Sequence, residues 1–278
     1  MPQTSFVPTP VFEEYRELFK EHAILARDDK GVIEVRFHTL GEDAAWSMEL
    51  HRSLGQLFST IGADPKNEVM ILTGTGENWL KGGDAESFAA VEGDLETFRQ
   101  KNYDYWYLDG RRLLESILWN VDIPTISAIN GPGIHTEFGL VCDLTIASDT
   151  AVFMDPHIAI GLVPGDGQYL VFQELMGSKR ANHLMYINAA GIDAQQALEF
   201  GLVNEVVPRD QLLARAHEMA DQIMSVDRIT RRLTASLMRR PWRRRFTQDF
   251  QTHFSSELYA ANVSRQYFEG PAHGESNF

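Results

Sequence analysis

Hydrophobic and polar positions follow two different spacings along the chain. After His22, the segments AILAR and VIEVRFHT flank the turn DDKG and carry β-branched and other apolar residues at every second position, which predicts a β-hairpin. Ser47 is a suitable helix N-cap, and the apolar positions after it recur at helical spacing as far as Gly62, which predicts a helix. The apolar face of that helix consists of Leu50, Leu54, Leu57, Phe58 and Ile61. The next apolar run, EVMILTGTG, predicts a buried strand that ends in a glycine loop.

Strands and helices are predicted to alternate to about residue 160, and helices dominate afterwards. Further strands are predicted for TISAIN, DLTIAS, AVFMD and NEVV. Further helices are predicted for a long segment up to Trp119 and for 135–142, 168–176, 179–187, 194–200, 208–225, 228–239 and 246–267. This order predicts a mixed α/β core over 21–207 and a helical C-terminal region over 208–278. Residues 1–20 form either an N-terminal arm with a short helix or a frayed end.

Composition and charge narrow the class of protein. Of the 278 residues, 44% are hydrophobic and 23% are charged, which excludes disordered, collagen-like and disulfide-scaffold classes. The formal net charge of −14 argues against binding to nucleic acid or to an anionic membrane, which needs an excess of Lys and Arg. The sequence shows no secretory signal, and no apolar run approaches the about 18 residues of a membrane span. We therefore expect a cytoplasmic protein without nucleic-acid or membrane partners.

Two local features have both structural and functional interpretations. The single cysteine, Cys142, lies in the apolar segment GLVCDLTIA and is predicted to be a core residue, because nothing nearby would lower the pKa of its thiol. Residues 228–245 contain eight arginines and no acid. Such a segment is typical of a solvated or subunit-facing helix, and it could also bind phosphate, nucleic acid or an acidic neighbouring subunit.

Three segments contain candidate chemistry. Trp46 can donate one hydrogen bond through its indole N–H. In NGPGIHTE, a strand end meets a helix start, where α/β folds bind ligands, and this segment holds His135 and Glu137. His157 and Asp166 flank an apolar turn, and a histidine oriented by a carboxylate is suited to general-base catalysis. Taken singly, Trp46, His135 and Glu137 are better explained by core packing, a solvated loop and a helix N-terminus. Spacing alone does not decide whether His157 and Asp166 form a catalytic pair or Asp166 only stabilises a turn.

Together these segments resemble the crotonase (enoyl-CoA hydratase/isomerase) superfamily from about residue 22 to 268. The landmarks are the loop KGGD at 81–84, the strand PTISAING, the pair Cys142 and Asp143 with the strand LTIAS, and the segment PHIAIGLVPGDG. The resemblance implies an α/β fold, a crotonase-like spiral of ββα units with a C-terminal helical region. It also implies a homo-oligomer, either a trimer or a dimer of trimers.

The departures from the hydratase pattern point to one branch of that superfamily. Glu137 keeps the position of one hydratase glutamate, but His157 stands at the position of the second. Asp166 replaces a small residue in the PGxG turn, and GPGIHTE replaces the usual glycine run. These changes resemble the 6-oxocamphor and related β-diketone hydrolases, which cleave a carbon–carbon bond of 1,3-diketones by a retro-Claisen reaction without CoA esters.

The resemblance implies a role for each matched residue. The implied catalytic residues are His157, Asp166, His135 and Glu257, and the implied substrate-binding residues are Trp46, His135, Glu137 and Gly83. His157, oriented by Asp166, would take a proton from water, while His135 and Trp46 bind the carbonyl oxygen of a small diketone. No metal or organic cofactor is expected, because the 1,3-dicarbonyl group is its own electron sink. An aromatic stretch either lines the substrate pocket or packs its helix: Tyr103, Tyr105, Trp106 and Tyr107.

Two other functions stay open. The first is an acyl-CoA hydratase or isomerase, which the retained Gly83 and Glu137 favour and the changed glycine run opposes. The second is a non-catalytic crotonase-fold scaffold or RNA binder that uses residues 228–245.

Overall fold

The computed structural model describes residues 7–84, 86–87 and 100–263. Six strands form the main sheet: β1 (Ala23–Arg27), β2 (Val32–Phe37), β3 (Val69–Gly74), β4 (Thr125–Ile129), β5 (Leu144–Ser148) and β8 (Glu205–Val207). They lie in the order β1-β2-β3-β4-β5-β8, with β1 antiparallel to β2 and every other neighbouring pair parallel. A second, two-stranded antiparallel sheet joins β6 (Val152–Phe153) to β7 (Ile192–Asp193). The predicted hairpin is confirmed by the antiparallel pairing of β1 with β2.

Helices cover the sheet and make up the C-terminal region. They are α1 (Phe12–Leu18), α2 (Met48–Ala63), α3 (Asp109–Glu115), α4 (Glu137–Leu140), α5 (Gln168–Met176), α6 (Ser178–Ile187), α7 (Ala194–Phe200), α8 (Leu212–Met224), α9 (Arg228–Met238), α10 (Arg240–Arg245) and α11 (Gln251–Val263). Wider π-helical turns extend α3 on both sides, at Asn102–Leu108 and Ser116–Asn120, and Phe246–Phe250 leads into α11. Short 3₁₀ turns lie at Ile158–Ile160 and Arg209–Gln211. The predicted fold class, a mixed α/β fold with a helical C-terminal region, is confirmed.

Two predicted helices are shorter than the pattern indicated. The helix predicted for 135–142 is the single turn α4, because His135 has a left-handed φ of 50° and cannot belong to a right-handed helix. The helix predicted for 208–225 begins at Leu212 after Pro208 and a 3₁₀ turn. Parts of other predictions lie outside the described residues: positions 1–6 of the arm, part of the long helix before Gln100, and positions 264–278 of the C-terminal region.

The central strands are buried on both faces, which explains their almost continuous apolar sequences. On one side of the sheet, Met70 and Leu72 of β3 pack into a large core with α2 and the helical segment 109–121. On the other side, Val69 and Ile71 pack against α8. Ser47 caps α2 by accepting a hydrogen bond from the Leu50 N–H at 3.0 Å, as predicted.

The N-terminal helix and the lone cysteine both belong to the core. Phe12 and Tyr15 of α1 and Phe19 just after it are buried in the same cluster as α2. Cys142 is also buried there, as predicted, and burial raises the pKa of its thiol to about 12. A thiol in this state is not a nucleophile at neutral pH. Among the described residues, no helix is both long and apolar enough to cross a membrane.

Candidate active site

Six ionisable side chains meet in the interior where β4, the turn before α5 and α11 come together. They are His135, Glu137, Asp155, His157, Asp166 and Glu257, and each is at most 9% exposed. Water is therefore largely excluded from the charges of this cluster, so the interactions between them are strong. The four residues predicted to be catalytic, His157, Asp166, His135 and Glu257, are all brought together here.

The loop after β4 holds His135 in a strained conformation. His135 is one of two non-glycine residues in the described chain with a positive φ. Its carbonyl oxygen accepts a hydrogen bond from the indole N–H of the buried Trp79 at 3.1 Å. Gly133 allows this close approach, because a Cβ there would lie 2.7 Å from the Trp79 Cβ. Such a backbone state costs about 1–3 kcal/mol and is common at functional sites, which supports a functional role for His135.

His135 is held by two carboxylates through a single ring nitrogen. Its Nδ1 lies 3.0 Å from Asp166 Oδ2 and 3.3 Å from Glu137 Oε1. Burial alone would lower the pKa of His135, but the charges of Glu137 and Asp166 outweigh it and raise that pKa to about 10. His135 is therefore an imidazolium at neutral pH. Because Nδ1 is occupied, Nε2 is the nitrogen available to donate a hydrogen bond to a ligand.

His157 is held mainly by Asp155, which corrects one sequence-based prediction. Asp166 was expected to orient His157, but it lies 3.5 Å from His157 Nε2 and closer to His135. The oxygen nearest to the His157 ring is Asp155 Oδ1, 3.1 Å from Nδ1. Asp155 is already fixed beside the ring because its Oδ1 also accepts the His157 backbone N–H at 2.9 Å. A carboxylate two residues away has less freedom than one that must reach across a turn.

Asp166 and Glu257 have opposite charge states. Burial would raise the pKa of Asp166, but His157 and His135 outweigh it and hold that pKa well below its usual range. Burial, followed by the negative charge of Asp166, raises the pKa of Glu257 to about 8, so Glu257 is protonated at neutral pH. Glu257 Oε1 lies 4.0 Å from His157 Nε2. This nitrogen thus faces one carboxylate and one carboxylic acid.

Trp46 supports His135 through its ring face. The two rings stack with centroids 4.1 Å apart and an interplanar angle of 22°. An aromatic face next to an imidazolium is a favourable cation–π arrangement. Gly83 forms a parallel bridge with Trp46, which places that predicted residue beside the site.

Three residues of the site were not identified from the sequence. Asp155 is one, and the feature of the sequence that could have identified it is its position two residues before His157 in DPH. Gln168 is the second. With its amide nitrogen facing Glu137, it donates a hydrogen bond to Glu137 Oε2 at 3.0 Å, and its amide oxygen accepts one from the backbone N–H of His135 at 3.2 Å. His51 is the third, a buried ring 4.7 Å from that of Trp46. Burial lowers the pKa of His51 to about 3, and its signal was a polar residue next to the apolar face of α2.

The aromatic stretch serves mainly to pack its helix. The Arg52 guanidinium lies over the Tyr105 ring at 4.1 Å, and Tyr103 stacks on Tyr107 at 5.6 Å. Trp106 differs, because it is buried in a small apolar cluster with Leu162 and residues of α2 and α11. Leu162 is in the turn that connects His157 to Asp166, so Trp106 borders the site.

The cluster also has the donor types of a metal site. One ligand atom each from His135, His157 and Asp166 can lie within 4.8 Å of one another. Asp166 Oδ2 already pairs with both rings, and the Nδ1 atom of each ring is bound to a carboxylate. The geometry is explained by these hydrogen bonds, and we assign no metal ligands here.

Comparison with known proteins identifies the family to which the chain belongs. The family model for enoyl-CoA hydratase/isomerase matches residues 27–271. The chain is 31% identical over 183 residues to a crotonyl-CoA hydratase from Syntrophomonas wolfei, covering 63% of this chain and 65% of that protein. It is 31% identical over 185 residues to a carnitinyl-CoA dehydratase from Escherichia coli strain K12, covering 66% of each. The matches thus span just under two thirds of the length of these curated relatives.

A solved structure is similar over a larger part of the chain. It is a β-diketone hydrolase from the cyanobacterium Anabaena sp. PCC 7120, bound to (S)-3-oxocyclohexyl acetic acid. The two chains are 30% identical and superpose with a TM-score of 0.82, covering 92% of this chain and 98% of that one. The crotonase-like fold is confirmed, and the chain belongs to the enoyl-CoA hydratase/isomerase family.

Proposed function

We propose that this protein is a hydrolase that cleaves a carbon–carbon bond of a 1,3-diketone by a retro-Claisen reaction and releases a keto acid. The observation that carries the proposal is the pair of buried histidines on either side of Asp166. One of them, His135, is a fixed cation, and the other, His157, presents Nε2 to a carboxylate and a carboxylic acid. Such a site combines an oxyanion donor with a general base.

The reaction begins when water adds to one carbonyl carbon. Neutral His157 takes the proton of that water through Nε2, while His135 Nε2 and the Trp46 indole donate to the carbonyl oxygen. Positioned proton transfer contributes about 10²–10⁴-fold, and one oxyanion donor contributes about 2.7–4 kcal/mol. The C–C bond then breaks, and its electron pair moves to the carbon between the carbonyls as an enolate. Return of the proton from His157 to that carbon completes a keto acid and restores the base.

The similarity to the β-diketone hydrolase supports this assignment. The bound compound in that structure is a cyclic ketone that bears an acetic acid group. Hydrolytic opening of a bicyclic 1,3-diketone, in which a bridgehead carbon joins the two carbonyls, gives a keto acid of this type. We therefore expect a bicyclic or cyclic diketone as the substrate, with no CoA ester and no organic cofactor.

An acyl-CoA hydratase is the second candidate, and two observations favour it. Gly83 and Glu137 are retained, and two similar proteins are named as a hydratase and a dehydratase of CoA esters. Against it, Glu137 contacts His135 through Oε1 and faces the Gln168 amide through Oε2, and His157 stands where a second glutamate would act. Both oxygens of Glu137 are therefore engaged in positioning neighbours.

The contacts of the arginines in residues 228–245 argue against the RNA-binding scaffold. Six of the eight arginines in residues 228–245 bind groups of the protein itself: Arg228, Arg231, Arg232, Arg239, Arg243 and Arg245. Glu68 alone pairs with three of them. A segment with internal partners for most of its charge offers few free cations for phosphates.

The assay that tests the proposal is loss of the ultraviolet enolate absorbance of cyclic and bicyclic 1,3-diketones, with crotonyl-CoA assayed in parallel. We expect diketone cleavage to a keto acid and no hydration of crotonyl-CoA. Hydration of crotonyl-CoA without cleavage of any diketone would instead support the acyl-CoA enzyme.

A further inference from the structure

The carboxylate closest to the His157 ring is not part of the implied catalytic set. Asp155 follows β6 and is 4% exposed. Its Oδ1 accepts the His157 backbone N–H at 2.9 Å and lies 3.1 Å from His157 Nδ1. Its other oxygen, Oδ2, is buried and has no hydrogen-bond partner in the described part of the chain.

A purely local turn does not account for this arrangement. An acceptor two residues upstream of an N–H is a common Asx turn, and a neutral Asn serves it equally well. Burial of a carboxylate with one orphaned oxygen is costly unless a cation offsets it. The cation available here is the His157 imidazolium, because the ring is buried and bonded to the same oxygen as the backbone N–H.

Four ionisable groups face His157, and they approach different atoms of its ring. Asp155 contacts Nδ1 at 3.1 Å, Asp166 and Glu257 approach Nε2 at 3.5 and 4.0 Å, and the His135 ring centroid is 5.7 Å away. Asp166 makes its shorter contact, 3.0 Å, with His135. The site therefore contains two carboxylate–histidine pairs, each joined through Nδ1.

We propose that Asp155 is a positioning residue for the proposed retro-Claisen reaction. It fixes the His157 ring through Nδ1, so that Nε2 is the atom that accepts the proton of water. Asp166 serves chiefly to hold His135. This inference rests on the proposed function for the identity of the reaction. The pairing of Asp155 with His157 can be measured independently of turnover.

The matched variant is Asp155→Asn, which keeps the oxygen that accepts the backbone N–H and removes only the charge. Asp155 is the largest contributor that raises the pKa of His157, ahead of Asp166 and Glu257, although burial acts in the opposite direction. Loss of an opposite charge at this distance shifts a pKa by about 1–3 units. We expect the acidic limb of the pH profile of kcat/KM to move to lower pH by that amount. Asp155→Ala removes the acceptor as well and is expected to lower kcat by about 10²-fold or more at every pH.

The control is Asp227→Asn. Like Asp155, Asp227 accepts the backbone N–H two residues later through Oδ1, but it caps α9 and lies outside the site. It should leave the pH profile unchanged. Imidazole ¹⁵N NMR of the wild type and Asp155→Asn gives a second measurement, with His157 identified by substitution. If no diketone is cleaved by the wild type, the proposed function fails, and the NMR titration alone decides the pairing. An unchanged His157 titration in Asp155→Asn, or full kcat in Asp155→Ala, would overturn the inference.

Discussion

At the scale of single residues, the site depends on where protons are placed before any substrate enters. His135 carries a proton because two carboxylates surround its Nδ1, and Asp166 stays ionised because two rings surround it. Glu257 keeps its proton at neutral pH because burial disfavours its charge. His157 is the exception, since the role as a base requires it to lose the proton that its neighbours stabilise. The rate should therefore depend on the titration of this one ring.

That dependence predicts an alkaline pH optimum. The pKa of His157 is raised well above its usual value, so the ring is protonated and inactive as a base below that pKa. Below that pKa, kcat/KM should increase about tenfold per pH unit, and it should fall again above about pH 10, where His135 loses the proton that it donates to the carbonyl oxygen. A profile measured from about pH 6 to 10 checks this. A rate that is already maximal near pH 6 would contradict the raised pKa.

A second prediction concerns the oxyanion donor. His135→Gln removes the imidazolium and should lower kcat by about 10²–10³-fold, because one donor contributes about that much. KM should change less than kcat, since the donor acts mainly on charge that develops in the transition state. A loss confined to KM would show that His135 only binds the ground state.

The sequence was sufficient to select His135, His157, Asp166 and Glu257, because each falls in a segment that resembles a known family. It could not show which carboxylate each histidine contacts. Asp155 lies two residues before His157 in the sequence, and Asp166 lies nine residues after it. Only the path of the turn determines which of the two carboxylates lies at His157 Nδ1. Gln168 was missed for a similar reason, since its role depends on a side chain that turns back toward Glu137.

At the scale of elements, the site depends on close contact between the turn before α5 and the helix α11. Gly165 is the point of contact: a Cβ there would lie 2.2 Å from the His253 carbonyl oxygen and 2.8 Å from the Glu257 Cβ. This absence of a side chain allows α11 to bring Glu257 beside Asp166. The helical pattern of residues 246–267 predicted α11, but not its distance from the turn.

Gly165→Ala should therefore separate α11 from the turn. Overpacking of this kind costs about 1–3 kcal/mol of unfolding free energy. A displacement of about 1 Å at Glu257 can lower the rate about 10²-fold. Denaturant unfolding and diketone turnover measure the two effects. The control Gly55→Ala, where the nearest backbone atom is 3.4 Å from the new Cβ, should keep full activity.

At the scale of the whole molecule, a buried ion pair between Arg239 and Asp143 helps to join the C-terminal region to the sheet. Arg239 is 1% exposed, and its guanidinium pairs with Asp143 and donates to the Val121 and Ile123 carbonyls. Asp143 in turn accepts the Thr125 N–H of β4 at 2.8 Å. The fold class and the helical C-terminal region followed from the order of predicted elements, whereas this connection could not, because 96 residues separate its partners.

Removal of one partner should strongly destabilise the protein. Arg239→Met leaves Asp143 buried without its cation, and such a loss costs about 3–5 kcal/mol. Arg240→Met, next in the chain and exposed, should change the unfolding free energy by less than about 0.5 kcal/mol. Equal stability of the two variants in urea would show that the pair does not anchor the region.

The oligomeric state is a prediction of the same scale. The helix α9 presents an exposed apolar stripe of Ile229, Leu233, Leu237 and Met238, each 63–65% exposed. Such a stripe suits contact with further copies of the chain. We expect sedimentation at three or six times the 31.5 kDa mass of one chain. Leu233→Glu should shift it toward the monomer, and Gln222→Glu, at an exposed position of α8 outside the stripe, should not.

The most direct test of the central claim is turnover of a bicyclic 1,3-diketone in ¹⁸O-labelled water, with wild type and His157→Ala. We predict a keto acid that carries one labelled oxygen in its carboxylate. We also predict a rate about 10²–10⁴-fold lower in a variant whose circular dichroism is unchanged. Failure of the wild type to release a labelled keto acid, or an equal rate in His157→Ala, would contradict C–C bond hydrolysis with His157 as the base.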